Sequence, residues 1–433
     1  MENKKLLLSR FANHQSMFGS FNVDSDIARW VKNVVIGPQL AIAFLCAFLF
    51  ACTSNKEHPL DEQDVVTIDL SNVKVSKEPL KLSEFVESIS YIRIDDTPLI
   101  PDLIFTGIAV SDDAIYIDQK FIYKYTLDGK FLKSLFKKGQ GPGEAQKVTT
   151  KAAYDFQRNI VAVNNNVGNT YRLYTLDGEH IGDVSKFDTS GWYKHIISYI
   201  DGNEVYCNTL GYRPLRRDTV NCDGPNFIYM RDTKADTVIY QQKNYNYDIK
   251  AVVQNAMVKD GGYPLCYGTN DGVFWWKHQS VDTIYRTTDF KDVRPWYVLK
   301  KNKSFADYEF CVHRMVLDIP EYEFSRKLIS TVYPLENGVL YNVAGNMDDS
   351  GIGFCKNNSK SLTFSSSGFI NDVDEYFKYW KPYYVLDGRG WVKDGYLYTL
   401  VNASDFFEEG CKSPFPDLAE DSNPVVVKLK LKK

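Results

Sequence analysis

Histidine and methionine are scarce in this sequence, with six of each in 433 residues. No C-x-x-C pair and no Cys/His cluster at metal-ligand spacing occurs, which argues against a zinc centre, so neither a metal site nor a cofactor is expected. G-x-S-x-G, the strand-turn-helix signature of a serine nucleophile, is absent as well. A basic surplus is also missing. The formal charge is −4 and the isoelectric point about 6.0, a balance that excludes the usual nucleic-acid binder. No long amphipathic helix can be traced beyond the first fifty residues. What the chain does have is apolar and aromatic: 44% hydrophobic residues, 29 Tyr and 26 Phe. That composition excludes a disordered chain and favours strands over helices.

The N-terminus carries a targeting pattern. Lys32 precedes the apolar run Leu40 to Ala51, which ends at Cys52. Twelve apolar residues are short for a membrane span and suit the core of a signal peptide. Leu49-Phe50-Ala51-Cys52 looks like a bacterial lipobox, in which Cys52 is lipidated and becomes the mature N-terminus. Residues 1–51 are thus read as a leader, 52–64 as lipidated Cys and tether, and 65–433 as the folded domain. A signal anchor with a chance cysteine is the competing reading, and Met17 is an alternative start because the stretch before Lys32 is long. Loss of the leader removes five Lys/Arg and three Asp/Glu, leaving a mature net charge of −6. The mature chain keeps six cysteines besides Cys52, at 207, 222, 266, 311, 355 and 411, either as buried thiols or in one of fifteen disulfide connectivities.

One pattern recurs along the mature chain: a polar or glycine turn, then a short β-branched or aromatic run. Its anchors are Ile115, Ile160, Val205, Val273, Val339 and Tyr396, and each is followed by a second strand-like run. The first two copies are close, Lys124-Tyr-Thr-Leu-Asp-Gly-Lys130 against Leu173-Tyr-Thr-Leu-Asp-Gly-Glu179. Asp-Gly between apolar runs signals a tight hairpin, because glycine adopts positive φ without a Cβ clash. Such spacing fits propeller blades, and six anchors predict six four-stranded antiparallel blades. An array of β-sandwiches is the competing architecture. A ring must close to hide its edges. Ser88 to Ile94 is expected to pair with Val425 to Leu431 for this purpose, with Val65 to Leu70 a second candidate.

The chain also resembles the bacterial six-bladed β-propeller lipoproteins of uncharacterised function, relatives of NHL-type propellers. The resemblance rests on Ser83-Glu-Phe-Val-Glu-Ser-Ile-Ser-Tyr-Ile92, on Leu127-Asp-Gly-Lys-Phe131 followed by Gly139-Gln-Gly-Pro-Gly-Glu144, and on Asp282-Thr-Ile-Tyr285 leading to Pro295-Trp-Tyr297. Phe369 to Val373 adds a weaker match. It implies an all-β six-bladed propeller behind a lipoprotein signal peptide, and it carries over no catalytic residue.

Candidate site residues are few. The Gly139–Glu144 loop has glycines like a phosphate cradle, but Pro142 lacks an N–H, no Lys-Ser/Thr follows and no helix is expected behind it. It reads as an inter-blade turn, with Glu144 retained as a candidate. His195 and His313 are the histidines best placed to line a channel, although a lone histidine in a β-protein is more often structural. Acid neighbours such as Asp95-Asp96 point to opposite faces of a strand, so they do not form a glycosidase pair. Aromatic pairs (Trp192-Tyr193, Trp275-Trp276, Trp296-Tyr297, Tyr379-Trp380) suit either a sugar platform or the wedge between blades. Arg213, Arg216 and Arg217 form a small basic cluster in a long insertion, which is either a solvated loop or an anion site.

These observations lead to one expectation and one alternative. The first is a binding module anchored through Cys52 to the outer membrane of a bacterial cell envelope, recognising a glycan, a peptide or a partner protein with Trp192, Tyr193, His195, Arg213, Arg216, Arg217, Trp296, His313 and Glu144 as candidates. The alternative is a hydrolase or lyase acting on a carbohydrate or lactone at the channel mouth.

Overall fold

The computed structural model describes residues 65–433 apart from 101–102, 104–105, 142, 146–150, 165–169, 187–193, 209–227, 233, 236, 243–264, 279–280, 307–325, 346–349, 358, 360–361 and 383–384. The leader, the tether with Cys52, and the candidates Trp192, Tyr193, Arg213, Arg216, Arg217 and His313 lie outside these residues.

The described chain is built almost wholly from short strands, and each of the six anchors lies on one. Gly107–Val110, Ala114–Asp118, Ile122–Thr126 and Phe131–Ser134 form a first antiparallel sheet in sequence order. Ala153–Asp155, Ile160–Asn164, Thr170–Thr175 and His180–Ser185 repeat the plan, as do Lys194–Ile200, Asn203–Asn208, Ile228–Asp232 and Thr237–Gln242. A fourth such sheet runs from Leu328–Leu335 to Leu362–Ser365 and gains Val73–Ser76 at its edge. Lys137–Lys138 with Glu144–Ala145, and Leu80–Lys81 with Phe369–Ile370 and Tyr379–Trp380, form two small sheets, and the other strands join into a single nine-stranded sheet.

That last sheet corrects the expected count. Six separate blades were anticipated, whereas strand pairing yields five sheets of four or more strands. The physical reason is a single-residue join. The first strand of one antiparallel set, Leu265–Asn270, meets the first strand of another, Trp391–Lys393, in parallel through Asn270 and Val392. The Asp271 N–H donates to the Val392 carbonyl at 3.2 Å, so the ladder runs on from one set to the next.

The arrangement is an all-β propeller, and its N-terminal segment both closes and binds the ring. Val86–Arg93 pairs antiparallel with the C-terminal Val425–Leu431, from Val425 opposite Arg93 to Leu431 opposite Val86. The closing strand is therefore the segment expected from sequence. Val65 to Leu70 has a different role: Val66–Asp69 lies parallel to Arg294–Lys300, adding an outer strand there. Val73–Ser76 does the same along Leu362–Ser365, and Leu80–Lys81 along Phe369–Ile370. Residues 66–93 thus run as a strap that covers successive outer edges, each of which would otherwise present unpaired N–H and C=O groups.

The twin hairpins show how neighbouring sheets dock. Gly129 and Gly178 both have positive φ, +91° and +86°. A Cβ on Gly129 would lie 1.9 Å from the Arg93 carbonyl oxygen, and one on Gly178 would lie 2.5 Å from that of Leu135. Each hairpin tip therefore touches the backbone of the preceding sheet, where only glycine fits. Between sheets the wedge is filled by aromatics. Trp275 and Trp276 are fully buried and, being strand neighbours, enter different cores: Trp275 packs edge-on against Tyr333, and Trp276 stacks on Phe290. The adjacent-aromatic motif here serves packing.

Candidate functional site

The first strands of neighbouring sheets lie against one another, which places them around the axis. Where these strands begin, polar side chains from different sheets converge. Lys151 lies two residues before Ala153–Asp155, Arg389 two residues before Trp391–Lys393, and Tyr267 near the start of Leu265–Asn270. Asp118 ends the second strand of the first sheet, directly opposite Gly107 on the first strand. The lack of a side chain at Gly107 makes room for the carboxylate, since a Cβ there would sit 2.5 Å from Asp118 Oδ1.

Asp118 is 3% exposed and accepts a hydrogen bond from the Ala152 N–H at 2.9 Å. Burial raises its carboxyl above the ordinary range, against the pull of that N–H, Arg389 and Lys151. The Lys151 ammonium donates to the Gly388 carbonyl. It lies 5.8 Å from the centroid of the Tyr267 ring and 6.0 Å from that of Trp391. Burial and the nearby Arg389 guanidinium lower Lys151 to about 8, with Asp118 opposing them. Lys151, Arg389, Tyr267 and Trp391 are each partly exposed, so this group of side chains opens to solvent.

Two details show that the arrangement is built. Gly388 has φ +74°, and a Cβ there would lie 2.4 Å from the Tyr267 carbonyl oxygen. The turn Val385–Arg389 can therefore press against the inner strand and present Arg389 only with glycine at that position. The second detail is Tyr154. Its ring is 7% exposed and packs on Tyr116, Phe156 and Trp391, yet its hydroxyl is buried without a hydrogen-bond partner. Burial, then the Asp118 charge, holds that phenol well above its usual range.

The described sequence candidates are not gathered into this group. Glu144 turns back on its own loop: Oε2 accepts the Gly141 N–H at 3.0 Å, and its own N–H donates to the Gly141 carbonyl at 3.1 Å. Gly143 supplies a positive φ of +75°, and Arg172 donates to the Gly141 carbonyl at 3.0 Å. The loop is a corner between the first and second sheets. Trp296 is 8% exposed in the core, with Arg286 over its ring. His195 is 6% exposed and hydrogen-bonded through Nδ1 to the Tyr171 hydroxyl at 2.7 Å. Burial, with Lys186 nearby, lowers it to about 3 and so keeps it neutral. It stands opposite Cys207, whose buried thiol is pushed up to about 12. No disulfide joins Cys207, Cys266, Cys355 and Cys411 to one another, and Cys222 and Cys311 lie outside the described residues. Among the described residues no group of three or more His, Cys, Asp or Glu side chains could hold a metal, and no helix is long and apolar enough to cross a membrane.

Sequence reasoning missed Asp118, Lys151, Tyr154, Tyr267, Arg389 and Trp391. Gly388-Arg389-Gly390-Trp391 was the one local signal, two glycines bracketing a cation beside an aromatic, and it lies outside the repeat's minimum.

Comparison with known proteins agrees with the fold. Residues 65–430 match the family model described as Domain of unknown function (DUF4934). The crystal structure of a protein of Bacteroides fragilis NCTC 9343 described as exported aligns with a TM-score of 0.56 at 14% identity, covering 85% of this chain and all of that one. A member of the DUF4221 family from Bacteroides vulgatus aligns at 0.46 and 12% identity, over 80% of this chain and 97% of its own. Virginiamycin B lyase from Staphylococcus aureus aligns at 0.34 and 13% identity, over 80% and 99%. The first alignment shows a shared fold alone. No curated protein matches the chain.

Proposed function

This chain belongs to the DUF4934 family, and we propose that it is a binding module of the bacterial cell envelope, anchored through lipid on Cys52 and recognising a glycan, peptide or partner protein at the axial end of its ring. In this reading the two antiparallel halves of the nine-stranded sheet act as separate blades, giving an NHL-like ring of six. One observation carries the proposal: Lys151, Asp118, Tyr267 and the Arg389–Trp391 pair, from four separate strand sets, neighbour one another through ring and charge interactions. A rigid ring that holds side chains from distant parts of the chain is suited to recognition. The test is to screen the full chain and its Arg389→Gln variant on glycan arrays and in pull-downs from envelope extracts. A ligand retained by the native chain and lost by the variant supports the reading. Ligands held equally by both would place recognition elsewhere.

A second reading has its own support. Burial raises Asp118 and lowers Lys151 to about 8, which moves both toward the neutral range where a general acid or base works. A lyase or hydrolase acting on a carbohydrate would use such a pair. Turnover of an oligosaccharide by the native chain, abolished in Lys151→Met with binding retained, would favour that reading over simple binding.

A further inference from the structure

We infer that the axial site takes a sugar bearing a carboxylate, a uronic-acid residue of an acidic glycan, with Arg389 and Lys151 holding the carboxylate and the Tyr267 and Trp391 rings holding the sugar face. The inference rests on the binding-module reading and names its ligand class.

Charge is the first argument. Lys151 and Arg389 both stand near the buried Asp118, and their positive charge suits an anionic group on the ligand. A phosphate ester, which carries closer to two charges at neutral pH, is the competing anion that the titration below separates from a carboxylate. The second argument is the pair of aromatic rings. Tyr267 and Trp391 are both partly exposed, and the Lys151 ammonium lies 5.8 and 6.0 Å from their centroids. A pyranose ring, apolar on one face and hydroxylated at its rim, suits rings standing beside a cation. The third argument is Tyr154. Its hydroxyl is one of five tyrosine hydroxyls buried without a partner among the described residues, each a costly unmade hydrogen bond, and its place beside the group sets it apart. It lies close enough to Asp118 to respond to its charge and packs against Trp391, so it adjoins the group and is free to serve a ligand hydroxyl or carboxylate. Gly107 and Gly388 fix the frame: the first leaves room for Asp118, and the second allows the turn that carries Arg389.

The experiment is isothermal titration of the full chain at pH 6.5 with three oligosaccharide sets of matched length: uronate oligomers, the neutral hexose oligomers of the same linkage, and hexose phosphates. Arg389→Gln, Lys151→Met and Tyr154→Phe are titrated alongside, with thermal melting as a folding control. Uronate binding at least tenfold tighter than neutral or phosphorylated counterparts, reduced at least tenfold by Arg389→Gln and several-fold by Tyr154→Phe at an unchanged melting temperature, is the expected result. Equal binding of acidic and neutral sugars, or preference for phosphate, overturns this inference and leaves the binding-module reading standing. Failure of the native chain to bind any of the three overturns the inference. If an envelope protein or peptide is then captured through the same residues, the broader reading survives; if nothing is, both fall.

Discussion

Lys151 is the residue whose behaviour most distinguishes this site from an ordinary surface cation. Its folded value near 8 lies below the ordinary lysine value of 10.5, so the unfolded chain binds more protons between those values. The penalty for holding a charged Lys151 is present below pH 8 and is relieved as pH rises through 8 toward 10. Above that, the buried tyrosines ionise more readily when unfolded and reverse the trend. Urea unfolding at pH 8.0 and 9.5 is expected to show the native chain gaining at most about 1.5 kcal/mol relative to Lys151→Met, because a pKa unit corresponds to about 1.4 kcal/mol and the site is partly hydrated. Identical pH dependence in the two proteins would mean that Lys151 is not perturbed. Gly388 makes a second residue-scale prediction. Gly388→Ala forces a side chain into the left-handed region, at about 1–2 kcal/mol, and sets its Cβ against the Tyr267 carbonyl. Lowered stability with loss of ligand binding is expected, whereas Gly395→Ala, where a Cβ meets nothing within 4 Å, should lose stability through strain and keep binding.

Single elements show why parts of the fold were legible and others were not. The Asp-Gly hairpins could be read because their chemistry is local: Gly129 and Gly178 donate to the carbonyls of Thr126 and Thr175 within the same turn. The closing strand could be read because an alternating apolar run near one terminus matched a run near the other. The strap could not, since Val66–Asp69 and Val73–Ser76 are too short to announce parallel partners more than two hundred residues away. Adjacent tryptophans favoured inter-blade packing but left a platform open, and burial decides for core at Trp275 and Trp276. Trp275→Ala is expected to cost about 3–5 kcal/mol through the void left beside Tyr333. A loss below 1 kcal/mol in chemical unfolding would show that the wedge repacks. Removing residues 65–79 leaves the closing strand but bares the edges of Arg294–Lys300 and Leu362–Ser365. Light scattering of that truncation should reveal faster aggregation than the native chain shows, and an unchanged rate would deny the strap its protective role.

At the scale of the whole molecule, the ring explains both the success and the failure of sequence reading. Period and turn chemistry gave the propeller, because each repeat carries its own strands. The number of separate sheets was beyond reach, since one parallel bridge at Asn270 and Val392 joins two repeats. The site was beyond reach for a related reason. Asp118, Lys151, Tyr267 and Arg389 lie up to 271 positions apart, and only closure of the ring brings them together. Candidates chosen from local sequence, such as His195 and Glu144, are instead held within a blade or a corner.

The most direct measurement is a crystal structure of the full chain grown with a uronate oligosaccharide. The sugar carboxylate is expected within hydrogen-bonding distance of Arg389 and Lys151, with the pyranose against Trp391 or Tyr267. A sugar bound on the opposite face, or on a loop remote from these four residues, would contradict that placement.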